Sequence, residues 1–422
     1  MSTAIPNPPP SIPPPSPRKS GILRDTFRAF RYSNFRLMWF GAFTSTSGFF
    51  VQEVAQSWLV YDLTNSEFYL GLTASLNGAP ILLLSLLGGV AADRMDRRKL
   101  LLASQYVQMA SALALAALVW LDMIAVWHIM AAAFVNGLGQ AFGGPAFQAL
   151  IPSLVDEEDL PNGIALMSIQ FTLARVVGSV VGGLAFTVLG AFACFAINGA
   201  SFLAVIVALY VIHVRFIPKK TDALVLDSLK EGLVFVHRHH VILALVILAP
   251  VTAFLGVPLV TLLPAFARET FRLDPQGYSL MLAFWGCGAV IGALHVAWLG
   301  NAPYKGRTTL LMQVGLGVTI LAFALSTNLW VACVFLFLSG WTVLAVFALI
   351  NALVQLQAPE EMRGRIMSVY NTAFRGGMPL GNLASGAIAN QIGAPLAVTA
   401  NGVLLVLVAV WYLARDKQVA QL

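Results

Sequence analysis

The feature that most constrains this chain is a series of strongly apolar stretches, each about twenty residues long. The stretch 100–119, for example, contains no charged residue. A helix crosses the hydrocarbon core of a bilayer with roughly 20 apolar residues, whereas a membrane β-strand alternates in polarity over about ten. Only 10% of the residues are charged, against about 25% in soluble domains. We therefore predict an all-α membrane protein and exclude a soluble enzyme.

Twelve membrane spans joined by short loops are predicted. They cover residues 37–60, 69–91, 100–119, 127–150, 164–188, 191–213, 241–266, 278–299, 308–325, 329–356, 367–390 and 395–413. The longest connection, a central cytoplasmic loop at 214–240, separates an N-terminal six-helix bundle (37–213) from a C-terminal one (241–413). A cytoplasmic tail (414–422) follows the second bundle.

The segment before the first span, residues 1–36, has two parts. Residues 1–17 contain eight of the 21 prolines and no charge, a composition typical of disorder. Residues 18–36 are basic, with apolar residues at helical spacing, and we expect either an interfacial helix on an anionic leaflet or a plain linker.

Positive charge is concentrated on one side of the predicted spans. With the N-terminus in the cytoplasm, 21 of the 25 Lys and Arg residues lie in cytoplasmic segments and two lie in external loops. Cytoplasmic loops of membrane proteins carry such an excess, so both termini are predicted to be cytoplasmic, in a multi-pass protein of the inner membrane. The same asymmetry explains the net charge of +6 without a nucleic-acid partner.

The two predicted bundles are related by an internal repeat. A shift of 203 residues aligns identical residues at Gly137 and Gly340, Glu157 and Glu360, Glu158 and Glu361, Gly183 and Gly386, Gly190 and Gly393, Asn198 and Asn401, and Gly199 and Gly402. Because the shift spans six helices, an even number, both copies have the same orientation in the bilayer. Parallel six-helix repeats of this kind occur in secondary transporters, whose substrate site lies between the halves near mid-membrane.

The loop between spans two and three is short and densely charged. It can serve simply as a topology determinant, or it can form a gate in which Asp93 lies at the N-terminus of a neighbouring helix. The segment resembles the loop 2–3 signature of the major facilitator superfamily, Gly-xxx-Asp-Arg-xx-Arg-Arg, with Asp96 where glycine is usual. This resemblance implies a cytoplasmic gate made by Gly89, Asp93, Arg94, Arg97 and Arg98, in which Gly89 permits close approach of the backbones.

Span five carries small residues at helical spacing, namely Gly178, Ser179, Gly182 and Gly183. Such residues favour close helix packing. The stretch also resembles the superfamily's antiporter motif, Gly-Pro-x-x-Gly-Gly, which is associated with exporters, although Ser179 replaces the proline. Segments 58–64, 143–152, 359–365 and 370–381 are similar to the enterobactin-exporter-like branch. The resemblance covers about residues 30–413 and implies the twelve-helix major facilitator fold in two parallel six-helix repeats.

Three charged residues lie well inside predicted spans: Glu53, Arg175 and Arg375. A charge at a helix centre costs roughly 2.5–3.5 kcal/mol on insertion scales, so each should face a cavity or a partner. We expect Glu53 to carry a proton or to neutralise a cationic cargo, and the arginines to bind anionic groups or to tune protonation. A structural alternative pairs the arginines with carbonyl groups or with glutamate inside the bundle.

Uncharged polar residues within the spans complete the predicted substrate and proton pathway. They are Gln52, Gln56, Asn136, Gln140 and Asn371. Each can donate hydrogen bonds to cargo or join helices to one another.

Motifs for catalysis or for cofactor binding are missing from the sequence. There is no phosphate-binding loop or catalytic triad, so neither enzymatic activity nor a cofactor is predicted, and uphill transport must use an ion gradient. Cys194, Cys287 and Cys333 lie within apolar spans without metal-ligand spacing, and no metal site is predicted.

Taken together, these features predict a secondary active transporter that exports small amphipathic organic molecules, such as drugs or siderophore-like compounds, by alternating access with proton antiport. We expect it to function as a monomer surrounded by membrane lipids. Two alternatives stay open: a lipid or lysophospholipid transporter of the same superfamily, and a non-transporting membrane receptor or scaffold.

Overall fold

A computed structural model describes residues 27–212, 225–300 and 304–422. These residues are almost entirely helical, and no strand occurs among them. The twelve long helices are α1 (Ser33–Thr64), α2 (Glu67–Arg94), α3 (Arg97–Trp120), α4 (Val126–Leu150), α5 and α6 (160–189 and 191–211 of the continuous stretch Leu160–Val211), α7 (His240–Thr270), α8 (Pro275–Leu299), α9 (Lys305–Ala324), α10 (Leu329–Gln357), α11 (Arg363–Ile392) and α12 (Ala394–Arg415).

Each predicted span overlaps one of these helices, usually to within a few residues at either end. Eight helical stretches, with α5 and α6 counted as one, are long and apolar enough to cross a membrane. The three helices outside this group are α1, α4 and α11, which carry most of the predicted pathway residues. The polar side chains of these helices lower their mean hydropathy.

The internal repeat is visible in the backbone where α5 meets α6 and where α11 meets α12. Gly190 and Gly393 have φ values of 77° and 87°. Residues with a Cβ are strained at positive φ, so glycine at these two equivalent positions permits an abrupt break between consecutive helices.

Other glycines of the repeat make equivalent helix contacts in the two halves. Each lies so close to a neighbouring helix that an added Cβ would overlap it: Gly137 with α2 and Gly340 with α8, Gly183 with α8 and Gly386 with α2, Gly199 with α3 and Gly402 with α9. Two parallel six-helix repeats therefore form one fold. The residue boundaries assigned to the two bundles stay a prediction.

The predicted central loop, 214–240, differs from a plain connection because Val225–Arg238 forms an amphipathic helix, here called the linker helix. It packs against the start of α11, where the backbone at Gly232 lies close to the carbonyl of Arg365. The Glu231 carboxylate pairs with the Arg365 guanidinium at 2.5 Å. The linker helix is thus attached to the C-terminal half.

The basic segment before α1 also contacts protein. Residues 1–26 lie outside the described part of the chain, whereas Arg28–Arg31 forms a 3₁₀ turn. Arg28 pairs with Glu158 at 3.2 Å, and Arg31 pairs with Asp159 at 2.9 Å. The hydrogen bond from Arg28 to Glu158, reinforced by the charge of Asp159, raises the pKa of Arg28. The described end of this segment is therefore held by the acidic residues that precede α5.

Candidate transport pathway

Two helix pairs join the halves: α2 with α11, and α5 with α8. In the first pair, an added Cβ at Gly71 would overlap the Asn382 carbonyl, and the Ser75 hydroxyl donates to the Pro379 carbonyl at 2.5 Å. In the second pair, an added Cβ at Gly183 would overlap the Ser279 side chain. Small residues thus bring the backbones of both pairs together, as is usual for helices in lipid.

Three further polar contacts between the halves lie at the end of the bundle opposite the chain termini. The Tyr61 hydroxyl donates to the Glu269 carboxylate at 2.5 Å, and Arg268 donates to Asp62 at 2.7 Å. Nearby, the Ser66 hydroxyl donates to the Asn390 side chain at 2.6 Å. These three contacts, here called the outer contacts, close this end.

At the other end, ion pairs connect residues within one half only. Arg28 and Arg31 pair with the acidic run before α5 in the N-terminal half. In the C-terminal half, Arg365 pairs with Glu231, and His240 lies 3.5 Å from Asp416. Between residues that the structure describes, no ion pair joins the halves at this end.

Glu53 lies midway along α1, where the flanking residues are buried. From residue 50 to residue 61, it is the single exposed position. Its charge interacts with Arg175 on α5 and with Tyr278 on α8. Because α8 belongs to the other half, Glu53 lies near the interface between the halves. Its part in a transport pathway stays a prediction.

Arg175 is enclosed by aromatic rings. Its guanidinium carbon lies 5.1 Å from the ring centroid of Phe50, 5.2 Å from that of Phe171 and 5.4 Å from that of Trp285. Each geometry suits a cation–π interaction. Trp285 lies on α8, so the interaction crosses the interface between the halves. Glu53 acts on Arg175 electrostatically, but no direct ion pair joins these two described residues.

The two glutamines beside Glu53 differ in their surroundings. Gln52 is 3% exposed, and its side-chain carbonyl accepts a hydrogen bond from the Asn198 amide of α6 at 2.7 Å. Its amide donates to Gln56 at 3.3 Å. Gln52 therefore joins α1 to α6, whereas Gln56 is partly exposed. A contact of Gln56 with cargo stays a prediction.

Four further predicted pathway residues lie on α4 and α11. Asn136 is 6% exposed, and its side-chain oxygen accepts no hydrogen bond within the described chain. Gln140, one turn along α4, is exposed. Asn371 and Arg375 are both exposed on α11. Their direct contribution to transport stays a prediction.

The loop between α2 and α3 is held within the N-terminal half. Asp96 caps α3 by accepting hydrogen bonds from the backbone of Arg98 at 2.9 Å and of Lys99 at 3.4 Å. The Arg97 guanidinium donates to the Ala149 carbonyl at 2.8 Å, and Arg98 donates to the Tyr210 carbonyl at 2.9 Å. These contacts tie the loop to α4 and α6.

Arg94, the fifth residue of the predicted gate, is exposed at the end of α2. No described residue forms an ion pair or hydrogen bond with Arg94. Its contribution to a gate stays a prediction.

The packing reason given for Gly89 is wrong in this conformation. An added Cβ at Gly89 would meet nothing within 4 Å, whereas one at Gly88 would overlap the Ala141 carbonyl of α4. Asp93 forms no hydrogen bond or ion pair with the described residues. Gly88 is the glycine that permits close approach of α2 to α4. The two adjacent glycines, Gly88 and Gly89, were the sequence feature that indicated a close helix contact here.

The small residues of α5 do pack as expected. An added Cβ at Gly178 would overlap the Ser47 carbonyl of α1, and one at Gly182 would lie 3.0 Å from the Val51 Cα. Ser179 is 5% exposed. With Gly183 against α8, this face joins α5 to a helix of each half.

Sequence reasoning missed the outer contacts and the rings around Arg175. The outer contacts had one usable signal, since Arg268 is one of only two basic residues in the predicted external loops. No local pattern distinguishes Phe50, Phe171 and Trp285 from other apolar residues, because they meet only in the folded protein.

Comparisons with known proteins agree with this architecture. The sequence model of the transmembrane secretion effector family matches residues 24–419. Macrolide efflux protein A of Streptococcus pyogenes is 25% identical over 394 residues, which cover 90% of this chain and 96% of that protein. The multidrug efflux pump Tap of Mycolicibacterium fortuitum is 26% identical over 368 residues, 85% of this chain and 89% of that protein. The enterobactin exporter EntS of Escherichia coli is 24% identical over 376 residues, which cover 89% of this chain and 90% of that protein.

Solved structures with the same fold include transporters of the superfamily. The crystal structure of the nucleoside transporter NupG has a TM-score of 0.72 and 13% identity, and the match covers 90% of this chain and 98% of that one. A peptide transporter of the POT family has a TM-score of 0.73 and 14% identity, with 92% and 95% covered.

These matches confirm the predicted fold class and the predicted class of function, a secondary transporter for export of small molecules and not an enzyme. A small-molecule cargo and a multi-pass membrane location follow from the same evidence. The chain belongs to the transmembrane secretion effector family of the major facilitator superfamily.

Proposed function

We propose that this protein exports small amphipathic organic molecules across the cytoplasmic membrane in exchange for protons, with both termini in the cytoplasm. The relatives named as efflux proteins for macrolides, for several drugs and for enterobactin support an amphipathic cargo. With this orientation, the end joined by the outer contacts is external, and the end where no ion pair between described residues joins the halves is cytoplasmic. This asymmetry supports an inward-facing state.

The opposite state requires the cytoplasmic ends of α2 and α11 to meet. The face of α2 that contacts α11 includes Gly71, Gly78 and Leu82, and helical spacing continues this face to Gly89 and Asp93. Closure would bring α11 against the open backbone at Gly89. The Asp93 carboxylate would then reach the N-terminus of α11, an interaction worth about 0.3–1 kcal/mol at an accessible site.

The observation that supports the coupling proposal is that Glu53, an exposed residue midway along α1, lies close enough to Arg175 for their charges to interact. A charged carboxylate there is favoured by the nearby cation, and binding of a proton removes that attraction. Because Arg175 also contacts Trp285 of the other half, the charge on Glu53 acts directly on an interaction that crosses the interface. Proton binding can thus bias the relative position of the halves.

The test uses purified protein in proteoliposomes with an imposed proton gradient and, as separate cargoes, a macrolide, a cationic dye, a siderophore and a labelled phospholipid. We expect Glu53→Gln to abolish gradient-driven accumulation while exchange of labelled cargo without a gradient persists. The amide keeps the size of the side chain but cannot carry a proton.

Asp122→Asn provides a matched control, because Asp122 is exposed in the α3–α4 loop at a φ of 54° that Asn tolerates. It should leave transport unchanged. Gradient-driven accumulation by Glu53→Gln, or wild-type transport that an uncoupler leaves unaffected, would contradict proton antiport. Movement of the phospholipid alone would identify a lipid transporter instead.

A further inference from the structure

Arg375 occupies a face of α11 that is directed toward the space between the halves. One flank of α11 contacts α2 through Gly376 and Pro379, and the other contacts α7 through Gly377. Leu380, 58% exposed, marks the side facing lipid. At 100° per residue, Arg375 lies about 140° around the helix from Leu380, so its exposure is to the interior space and not to the acyl chains.

The surroundings of Arg375 differ from those of Arg175. Arg175 has three aromatic rings and the nearby charge of Glu53. Among the described residues, none forms an ion pair, hydrogen bond or cation–π contact with Arg375. It is the thirteenth residue of α11, hence roughly 18 Å from the start of the helix. An unpaired cation at that depth is costly unless a ligand or water solvates it.

Groups suited to binding an organic anion lie beside this guanidinium. Asn371 is exposed one turn away on the same face. The ring of Phe374, partly exposed, packs edge-on against Phe347 of α10 with centroids 4.8 Å apart. It also lies parallel to the ring of Tyr370, with centroids 6.1 Å apart. These rings form an apolar surface beside a planar, multidentate cation.

We propose that Arg375 and Asn371, with the ring of Phe374, form a cargo subsite for a carboxylate, phenolate or sulfonate group carried on an aromatic body. This inference rests on the proposed export function and deepens it. A guanidinium donates paired hydrogen bonds to planar anions and is more weakly hydrated than an ammonium group. The two intramembrane arginines then have separate tasks: Arg175 interacts with the proton site, and Arg375 binds the anionic end of the cargo.

The experiment compares two dyes that share a xanthene ring but carry opposite charge, fluorescein and tetramethylrhodamine methyl ester. Binding to the purified protein in nanodiscs is measured by fluorescence polarisation. Arg375→Gln should weaken fluorescein binding roughly tenfold or more, the loss expected for a charge-assisted hydrogen bond, and leave binding of the cationic dye unchanged. Arg375→Lys should restore part of the affinity because it keeps the charge but loses the paired geometry.

Arg363→Gln serves as the control, because Arg363 is exposed at the start of the same helix and its replacement removes the same charge. Thermal unfolding of each variant reports whether it is folded. The subsite is overturned if the wild type binds no fluorescein, or if Arg375→Gln weakens both dyes equally or neither.

The two proposals can fail separately. Fluorescein binding that depends on Arg375, together with transport indifferent to a proton gradient, supports the subsite and refutes the coupling. Proton-driven transport, together with fluorescein binding that Arg375→Gln leaves unaffected, supports the coupling and refutes the subsite.

Discussion

Replacing Tyr61 by phenylalanine tests whether the outer contacts hold the two halves together at their end of the bundle. Tyr61 is 2% exposed, and its hydroxyl donates to the Glu269 carboxylate. A hydrogen bond to a charged group contributes about 1.5–3 kcal/mol. Glu269 is itself exposed and can be solvated when the contact is lost, so we expect the lower value. About 1.5 kcal/mol changes a two-state equilibrium roughly tenfold.

The neighbouring ion pair provides an internal comparison. The side chains of Arg268 and Asp62 are 38% and 49% exposed, and pairs of this kind contribute roughly 0.2–1 kcal/mol. Asp62→Asn should therefore move the equilibrium by at most about fivefold. High salt should remove most of this smaller effect because it screens accessible charges.

The assay is double electron–electron resonance between spin labels at Leu63 and Gln391, both exposed at the external end. The labels are introduced into a variant without Cys194, Cys287 and Cys333. Tyr61→Phe should increase the population with a long distance between the labels, and Asp62→Asn should do so much less. An equal or larger effect of Asp62→Asn, or unchanged distances in Tyr61→Phe, would refute the assignment of the buried hydrogen bond as the main closing contact.

Two further predictions concern the end of α2 near Asp93, which the proposed orientation places in the cytoplasm. Gly88→Val should reduce the amount of folded protein in the membrane, because the valine side chain would overlap the Ala141 carbonyl. Gly89→Val should leave the amount of folded protein unchanged and reduce efflux by blocking closure. Quantitative immunoblotting measures the first effect and dye efflux the second, and the opposite assignment of the two effects would contradict the packing argument. Asp93→Asn should abolish efflux at unchanged membrane abundance, since the amide lacks the charge that stabilises the closed cytoplasmic end, and unaltered efflux in that variant would remove Asp93 from the gate.

The helix positions and the internal repeat could be predicted from the chain itself. Hydropathy and charge are properties of consecutive residues, and a helix in lipid satisfies its own backbone hydrogen bonds. Each span therefore carries its own signal, as the close agreement between 329–356 and α10 shows. The glycines at 190 and 393 likewise identify the helix breaks, since positive φ is a local requirement.

The partners of the polar side chains were decided only by the tertiary structure. The sequence does not reveal that the Gln52 side chain is hydrogen-bonded to Asn198 while the Gln56 side chain is accessible. It also does not reveal that Gly88, and not Gly89, contacts α4. Arg175 and Arg375 are indistinguishable as charges inside spans, yet only Arg175 is surrounded by rings. Contacts such as these join residues far apart in the chain, and rotation of a helix about its axis by less than a third of a turn exchanges one neighbour for the next. Hydropathy leaves that rotation undetermined, and only the packing of all the helices against each other sets it.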